Sequence, residues 1–318
     1  MNAAGIVRSI CISTDRGTPK SPVPACRFLP RLGIEGDGHL GYGHRQVSVL
    51  SQESFSRMVE KLPGLSYGAF AENIVTEGID WTRVPIGRKA RFGADAILQV
   101  TQHGKVCHAP CAIFAATGEC IMPAEGTFFA VRCGGKLAAG DPVHLDPDLE
   151  RIRFAVITVS DRSAAGARED RSGPLLSDLV EKRLDAALVD RRVLPDDRET
   201  IAAALMELCD ERAVDLVLTS GGTGLAPRDV TPEATMGVID RPIPGMAEAM
   251  RAAGLAHTPH AMLSRGICGQ RGYSLIVNLS GSPAAVREQF EAVLPALPHA
   301  ISVTSGLPQD CARTRERK

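Results

Sequence analysis

Val214-Asp215-Leu216-Val217-Leu218-Thr219-Ser220-Gly221-Gly222-Thr223-Gly224 is the stretch that decides the fold of the second half of the chain. Its apolar run, Val214–Thr219, predicts a strand, and a glycine loop follows without a spacer. In an open α/β sheet, ligands bind outside the carboxyl ends of the strands. Glycines at that edge let backbone N–H groups close around phosphate oxygens with no Cβ in the way. Upstream, Phe154–Val159 is a continuous apolar run of the kind buried on both faces of a sheet. A helix through Leu175–Leu184, a strand over Ala187–Val193 and a helix over Arg198–Arg212 lie between it and the glycine loop. That βαβαβ order predicts a three-layer α/β domain whose sheet is largely parallel, with helices on both faces. Thr231-Pro232-Glu233 has the form of an N-cap with Pro at the first helical position. The strand Ser274–Leu279 and a helix after Pro283 complete the domain.

Several residues converge on the same sheet edge. Gly281-Ser282-Pro283 sits between an apolar strand and a helix start, a second candidate for anion binding. Asp229 lies five residues past Gly224, beside Arg228, and Asp196 follows the second strand. The bland readings are an ordinary glycine turn, a capping box from Asp196 and Glu199, and an Asp229 that merely precedes a helix. Acids and an Arg beside two glycine loops instead suit Mg²⁺ and a polyphosphate. No Gly-x-x-x-x-Gly-Lys-[Ser/Thr] loop occurs, and no Gly-x-Gly-x-x-Gly opens this domain.

Residues 1–145 have a different grammar. Short strands over Ile6–Ser13, Arg45–Leu50, Asn73–Thr76, Ile97–Gln102 and Phe128–Cys133 alternate with glycine-rich turns. One amphipathic helix is predicted over Glu53–Lys61. This pattern predicts a mainly-β, barrel-like domain. Residues 146–152 form a polar linker, 153–305 the α/β domain, and 306–318 a basic tail expected to be disordered.

At 318 residues, two domains are the expectation. Lys and Arg total 36 and Asp and Glu 37, for a net charge of −1. The first 150 residues hold 15 basic and 15 acidic side chains, so neither half carries the excess of a general nucleic-acid or membrane-surface binder. No apolar run approaches the roughly 18 residues of a membrane span, and MNAAGIVRSICIST lacks the form of a signal peptide. Nine cysteines without a regular framework read as reduced thiols of a cytoplasmic protein.

The motifs of the second half carry a resemblance over about residues 152–305. Val159-Ser160-Asp161-Arg162, Asp170-Arg171-Ser172-Gly173-Pro174 and Thr219–Gly224 are similar to the MogA/MoaB family of molybdenum-cofactor proteins. So are Arg228–Thr235, Ile243-Pro244-Gly245, Ala261-Met262-Leu263-Ser264-Arg265 and Asn278–Pro283. The resemblance implies a molybdopterin adenylyltransferase that uses Mg-ATP to place AMP on the terminal phosphate of molybdopterin. By motif, Asp196 and Asp229 match the family's functional acids and Mg²⁺ ligands. Ser220, Gly221, Gly222, Thr223 and Gly224 match its ligand cradle, with Asp161, Arg228, Gly281 and Ser282 beside it. Homo-oligomers through this domain are also implied. The chemistry is an in-line displacement that needs positioning and charge neutralisation and no protein nucleophile.

Gly104-Lys105-Val106-Cys107-His108-Ala109-Pro110-Cys111 is the densest reactive cluster of the first half. Three readings stand: zinc held by Cys107, His108 and Cys111 with Cys120 or Cys133, buried inert thiols, or a thiolate lowered in pKa by Lys105 and His108. Gly33–His39, Arg45-Gln46-Val47, Ala71-Glu72-Asn73-Ile74 and Pro85-Ile86-Gly87 resemble the MOSC domain, named after the C-terminal part of molybdenum-cofactor sulfurases. That resemblance spans about residues 5–145 and implies cofactor binding or sulfur carriage through one Cys, with Cys111 preferred over Cys107. His39, Arg45, Glu72 and Asn73 line an anion or pterin pocket on this reading; on the other, Arg45 and Glu72 form an ion pair and His39 completes a turn.

Together these features predict a fused enzyme of molybdenum cofactor biosynthesis, served by a sulfur donor and a molybdenum-insertion protein. A cofactor carrier without turnover, and a redox or zinc protein, are the alternatives.

Overall fold

The computed structural model describes residues 3–106, 114, 118 and 120–306. The first half builds eleven strands: β1 (Ala4–Ile12), β2 (Ser21–Val23), β3 (Ala25–Leu29), β4 (Gly33–Ile34), β5 (Val47–Ser51), β6 (Ile74–Glu77), β7 (Lys89–Phe92), β8 (Ala96–His103), β9 (Thr127–Cys133), β10 (Gly135–Ala138) and β11 (Pro142–His144). Seven of them close a barrel in the order β1-β6-β5-β9-β8-β7-β11, the ring completed by β11 pairing back onto β1. Closure removes exposed edges. A small sheet, β10-β3-β4, lies alongside. The barrel is filled by a few aromatics: Trp81 stacks on Phe92 at 5.8 Å and meets Phe129 edge-on at 5.1 Å. The Trp81 indole N–H donates to Thr76 Oγ1 at 2.6 Å, so the ring is buried without an orphan donor. The helix Gln52–Lys61 is capped by Ser51 and buries Phe55 and Met58.

The second half forms a six-stranded mixed sheet from β12 (Ile152–Val159), β13 (Ala186–Leu194), β14 (Leu216–Ser220), β15 (Arg241–Pro242), β16 (Cys268–Arg271) and β17 (Ser274–Leu279). Its order is β13-β12-β14-β17-β16-β15. The first four strands run parallel, and β16 runs antiparallel to both its neighbours, β17 and β15. Alternate residues of each parallel strand feed two cores. Phe154, Val156, Leu216 and Leu218 meet helices Ser172–Arg183, Pro244–Leu255 and Pro283–Val293 on one face. Ala155, Ile157 and Val217 meet helices Arg198–Met206 and Thr231–Met236 on the other.

The stretch 146–152 differs from a free linker. It holds a 3₁₀ turn, Pro147–Leu149, whose Leu149 is buried against Ile97, Cys133 and Ala213, residues of both halves. Beside it Asp215 accepts from Lys89 Nζ at 2.6 and 2.8 Å and from Arg132 at 2.8 Å, all three buried. Lys89 and Arg132 come from barrel strands and Asp215 from the turn into β14, so the outer barrel wall is docked on the amino end of the sheet. The glycine loops are at the opposite, carboxyl end. The tail expected to be disordered lies outside the described residues from 307 onward.

Candidate functional site

Parallel register fixes where the loops emerge. Val159 pairs with Leu194, Thr158 with Ser220, and Ser220 with Leu279, so the strands end at a common level. The turns beyond them carry Asp161, Asp196, Gly221–Gly224 and Gly281-Ser282. All of these but Thr223 and Gly224 line a cavity of about 440 Å³, within the range of small-molecule sites. A second cavity of about 470 Å³ shares Gly221, Gly222, Asp229, Gly281 and Ser282 and extends to Thr258, His260 and Ser264.

Two of the acids brace each other through the backbone. The Asp161 amide donates to Asp196 Oδ2 at 2.8 Å, and the Asp196 amide donates to Asp161 Oδ1 at 3.0 Å. Arg228 clasps Asp161 through Nε and a terminal nitrogen at 3.0 and 2.8 Å, and that hydrogen bond holds the Asp161 carboxyl below its usual value. Burial, then the nearby carboxylates of Asp161 and Asp229, push Asp196 upward against the opposing Asp161 amide. Asp229 Oδ2 accepts from the Ala226 amide at 2.9 Å. Asp196 is not the helix cap that the sequence predicts. Asp197 takes that role, accepting from the Thr200 amide at 2.9 Å, which leaves Asp196 turned to the site.

The glycines are required by both conformation and space. Gly221 and Gly222 have φ of 106° and 63°, the left-handed region disfavoured for side chains. A Cβ on Gly221 would overlap the Val159 carbonyl oxygen. One on Gly222 would overlap Thr231 Oγ1 and lie 3.1 Å from Asp196 Oδ1; one on Gly224 would lie 2.8 Å from Asp229 Oδ2. Among the described residues, no acceptor meets the amides of Gly222, Thr223 or Gly224. Gly222, Thr223, Gly224 and Asp229 line the second cavity, and Gly222, Asp196 and Asp229 the first. Ser282 caps the helix Pro283–Val293 by accepting from the Ala285 amide at 3.2 Å.

Four residues hold this frame, and the sequence reading gave two of them, Arg265 and Ser172, no individual role. Thr231, expected as a helix cap, lies inside its helix, and its hydroxyl donates to the Gly221 carbonyl at 2.9 Å. Arg265 donates to the carbonyls of Gly224 and Asp229 at 2.7 and 2.6 Å and pairs with Glu233. Ser172 Oγ donates to the Gly281 carbonyl at 2.7 Å, and Ser220 Oγ to that of Ser280 at 3.1 Å. All four lie in or beside the quoted motifs, which for Arg265 and Ser172 was the one signal in the sequence.

In the barrel, Glu72 is fully buried and accepts from the Gly68 and Phe70 amides at 2.6 and 3.0 Å. It does not pair with Arg45. Burial, only partly offset by those amides, pushes its carboxyl up to about 7. Asn73 donates to the Cys11 carbonyl at 3.2 Å and to Asp37 at 2.9 Å and accepts from Ser48 N at 3.1 Å. Glu72 and Asn73 thus brace the wall through these bonds. Asp37, buried, also pairs with Lys20 and accepts from the His39 amide at 2.9 Å. Lys20 and Asp37 carry no role in the sequence reading. His39 Nδ1 lies 3.1 Å from Asp37 Oδ1, while the Arg45 guanidinium lies 5.5 Å from the Tyr42 ring and 5.9 Å from Phe128 and meets no acceptor among the described residues. Cys107, His108 and Cys111 lie outside the described residues.

Comparison with known proteins agrees with this division. Residues 155–299 match a family described as a probable molybdopterin binding domain, and residues 36–144 match the MOSC domain. Over 159 residues, 50% of this chain and 90% of the relative, the chain is 41% identical to the molybdopterin adenylyltransferase of Helicobacter pylori J99. It is 40% identical over 149 residues, 46% of this chain and 76% of the relative, to the molybdopterin adenylyltransferase of Escherichia coli K12. The crystal structure of the molybdopterin biosynthesis enzyme MoaB from Thermus thermophilus is 45% identical, covering 50% of this chain and 99% of that one, with a TM-score of 0.47. Through its C-terminal half the chain belongs to the molybdopterin-binding family that contains these adenylyltransferases, and a MOSC domain precedes that half. Among the described residues, no helix is long and apolar enough to cross a membrane.

Proposed function

We propose that the protein acts in molybdenum cofactor biosynthesis as a molybdopterin adenylyltransferase, transferring AMP from ATP to the terminal phosphate of molybdopterin. One observation carries this reading: two cavities of similar size meet at a single glycine loop, with Asp229 lining both and Asp196 lining the first. A two-substrate transfer needs that arrangement, because the reacting phosphates have to meet in line. An oxygen of the pterin phosphate forms a bond to the α-phosphorus of ATP. The bond from that phosphorus to the bridging oxygen breaks, and pyrophosphate leaves with the electron pair.

The chain's part is to bind, orient and neutralise. The Gly222, Thr223 and Gly224 amides donate to phosphate oxygens, and Arg265 keeps the loop in the conformation that aims them. Among the described residues, no group of three or more acids, histidines or cysteines converges to hold a metal by itself. Mg²⁺ is commonly held by one or two carboxylates together with phosphates and water. Asp196 and Asp229 are hard oxygen donors, each beside a Cβ-free glycine of the loop, Gly222 and Gly224 respectively, and they fit that requirement. Mg²⁺ held there supplies charge neutralisation and Lewis acidity.

For the barrel we keep Arg45 as an anion contact, on the strength of its unmatched guanidinium, and a thiol of the 107–111 segment as sulfur carrier or cofactor ligand. Incubation with molybdopterin, Mg²⁺ and labelled ATP tests the main reading. Adenylylated pterin is expected; bound pterin without product would make the protein a carrier.

A further inference from the structure

The sequence names Arg228 as the cation for the phosphates, yet the structure commits it to Asp161. The cavity that holds Asp161, Asp196 and Asp229 also receives Glu169 and Asp170, so it is rich in negative charge before any ligand enters. Asp170 is satisfied by the Ser172 and Gly173 amides and the Thr158 hydroxyl, and Glu169 by Arg171 at 3.2 Å. A nucleoside triphosphate adds about four more charges, and one divalent cation offsets only two of them. Further positive charge has to come from side chains with no partner of their own.

Two arginines on the wall of this cavity meet that condition: Arg162 and Arg168. Among the described residues, neither guanidinium has an acid or other acceptor. One turn brings their backbones together, because the Ala167 and Arg168 amides both donate to the Arg162 carbonyl, at 2.9 and 3.2 Å. Ser160 anchors the start of the turn by accepting from the Ser163 amide at 3.3 Å. The second cavity contains neither arginine.

We propose that Arg162 and Arg168 form a clamp for the β- and γ-phosphates of the nucleoside triphosphate, and therefore for the departing pyrophosphate. This assigns the cavity of Arg162 and Arg168 to the nucleotide polyphosphate and the cavity of Thr258, His260 and Ser264 to the pterin. The inference rests on the adenylyltransferase reading for its ligand. Its physical content, an anion clamp at two unpaired guanidiniums, stands apart from that reading.

The test uses the full chain and the variants R162A, R168A, R162A/R168A and the lysine pair R162K/R168K. Calorimetry with Mg-pyrophosphate reads the clamp directly, and AMP-transfer kinetics read it in turnover. Each alanine should weaken pyrophosphate binding about ten-fold and raise KM for ATP in parallel, and the double variant should lose on the order of 10²-fold. The lysine pair should recover part of the loss, and Kd for molybdopterin should change less than about two-fold. Pyrophosphate binding unchanged in the double variant would overturn the clamp, as would an equal loss of molybdopterin affinity. If the wild type binds pyrophosphate through these arginines but transfers no AMP, the clamp survives and the adenylyltransferase reading fails. Both side chains are exposed, so folding is checked by an unchanged melting temperature.

Discussion

Asp215→Ala should weaken the whole molecule, because the side chain holds together the junction of its two halves. Asp215 is 2% exposed and accepts four hydrogen bonds: two from Lys89, one from Arg132 and one from the Arg153 amide at 3.0 Å. Alanine leaves two buried cations without a counter-charge, and breaking a buried pair in this way costs about 3–5 kcal/mol. At roughly 2–4 °C per kcal/mol for domains of this size, Tm should fall on the order of 10 °C. With the tie gone, one unfolding transition should split toward two, visible by calorimetry. The pH dependence has a definite sign. Burial alone would raise the Asp215 carboxyl, but Lys89 and then Arg132 outweigh it and hold it below the ordinary 3.8. A carboxylate depressed on folding contributes stability above its unfolded value and loses it as pH falls through the folded one. The margin between wild type and Asp215→Ala should therefore narrow below about pH 4. A loss under about 1 kcal/mol, with one transition retained, would show that the junction is hydrated and the halves independent.

The remaining predictions concern the sites. Asp229→Asn should lower AMP transfer on the order of 10²-fold or more with little change in pterin affinity, as expected for a group acting mainly on the transition state. Asp197→Ala should lower Tm and leave turnover intact, since that side chain caps a helix; steady-state kinetics beside a melting curve separate it from Asp196. Gly222→Ala meets both an unfavourable φ and the Thr231 hydroxyl, and should cost about 1–3 kcal/mol together with most of the activity. Burial pushes the thiol of Cys11 up to about 11 and those of Cys26, Cys209 and Cys268 up to about 12. In the native protein iodoacetamide at neutral pH should accordingly modify Cys111 before any of these four, as peptide mass mapping would show.

The parallel core was legible because its three inner strands are apolar on both faces and are followed within two residues by glycine or acid. Ser274–Leu279 forms as read, and Phe154–Val159 is extended by two residues at its start. The barrel was legible as a class but not strand by strand. β7 was missed because Lys89 and Arg91 look like a solvated turn; only Asp215, 126 residues away from Lys89, makes a buried lysine tolerable there. The packing of Leu149 was hidden for the same reason, since it gains its partners from both halves. The loop acids were found by position relative to the strands, whereas the choice of cap between Asp196 and Asp197 depends on a one-residue offset that spacing does not resolve. Arg228 and the pair Arg162 and Arg168 look alike in sequence, and only Asp161 tells them apart.

The most direct test of the central claim follows two labels through one reaction. The full-length protein is incubated with molybdopterin, Mg²⁺ and ATP carrying its label on either the α- or the γ-phosphate. The account predicts that the α-label moves to the pterin in a phosphoanhydride and the γ-label leaves as pyrophosphate, in equal amounts, with both yields falling together in Asp229→Asn. A γ-label on the pterin, or release of orthophosphate instead of pyrophosphate, would contradict it.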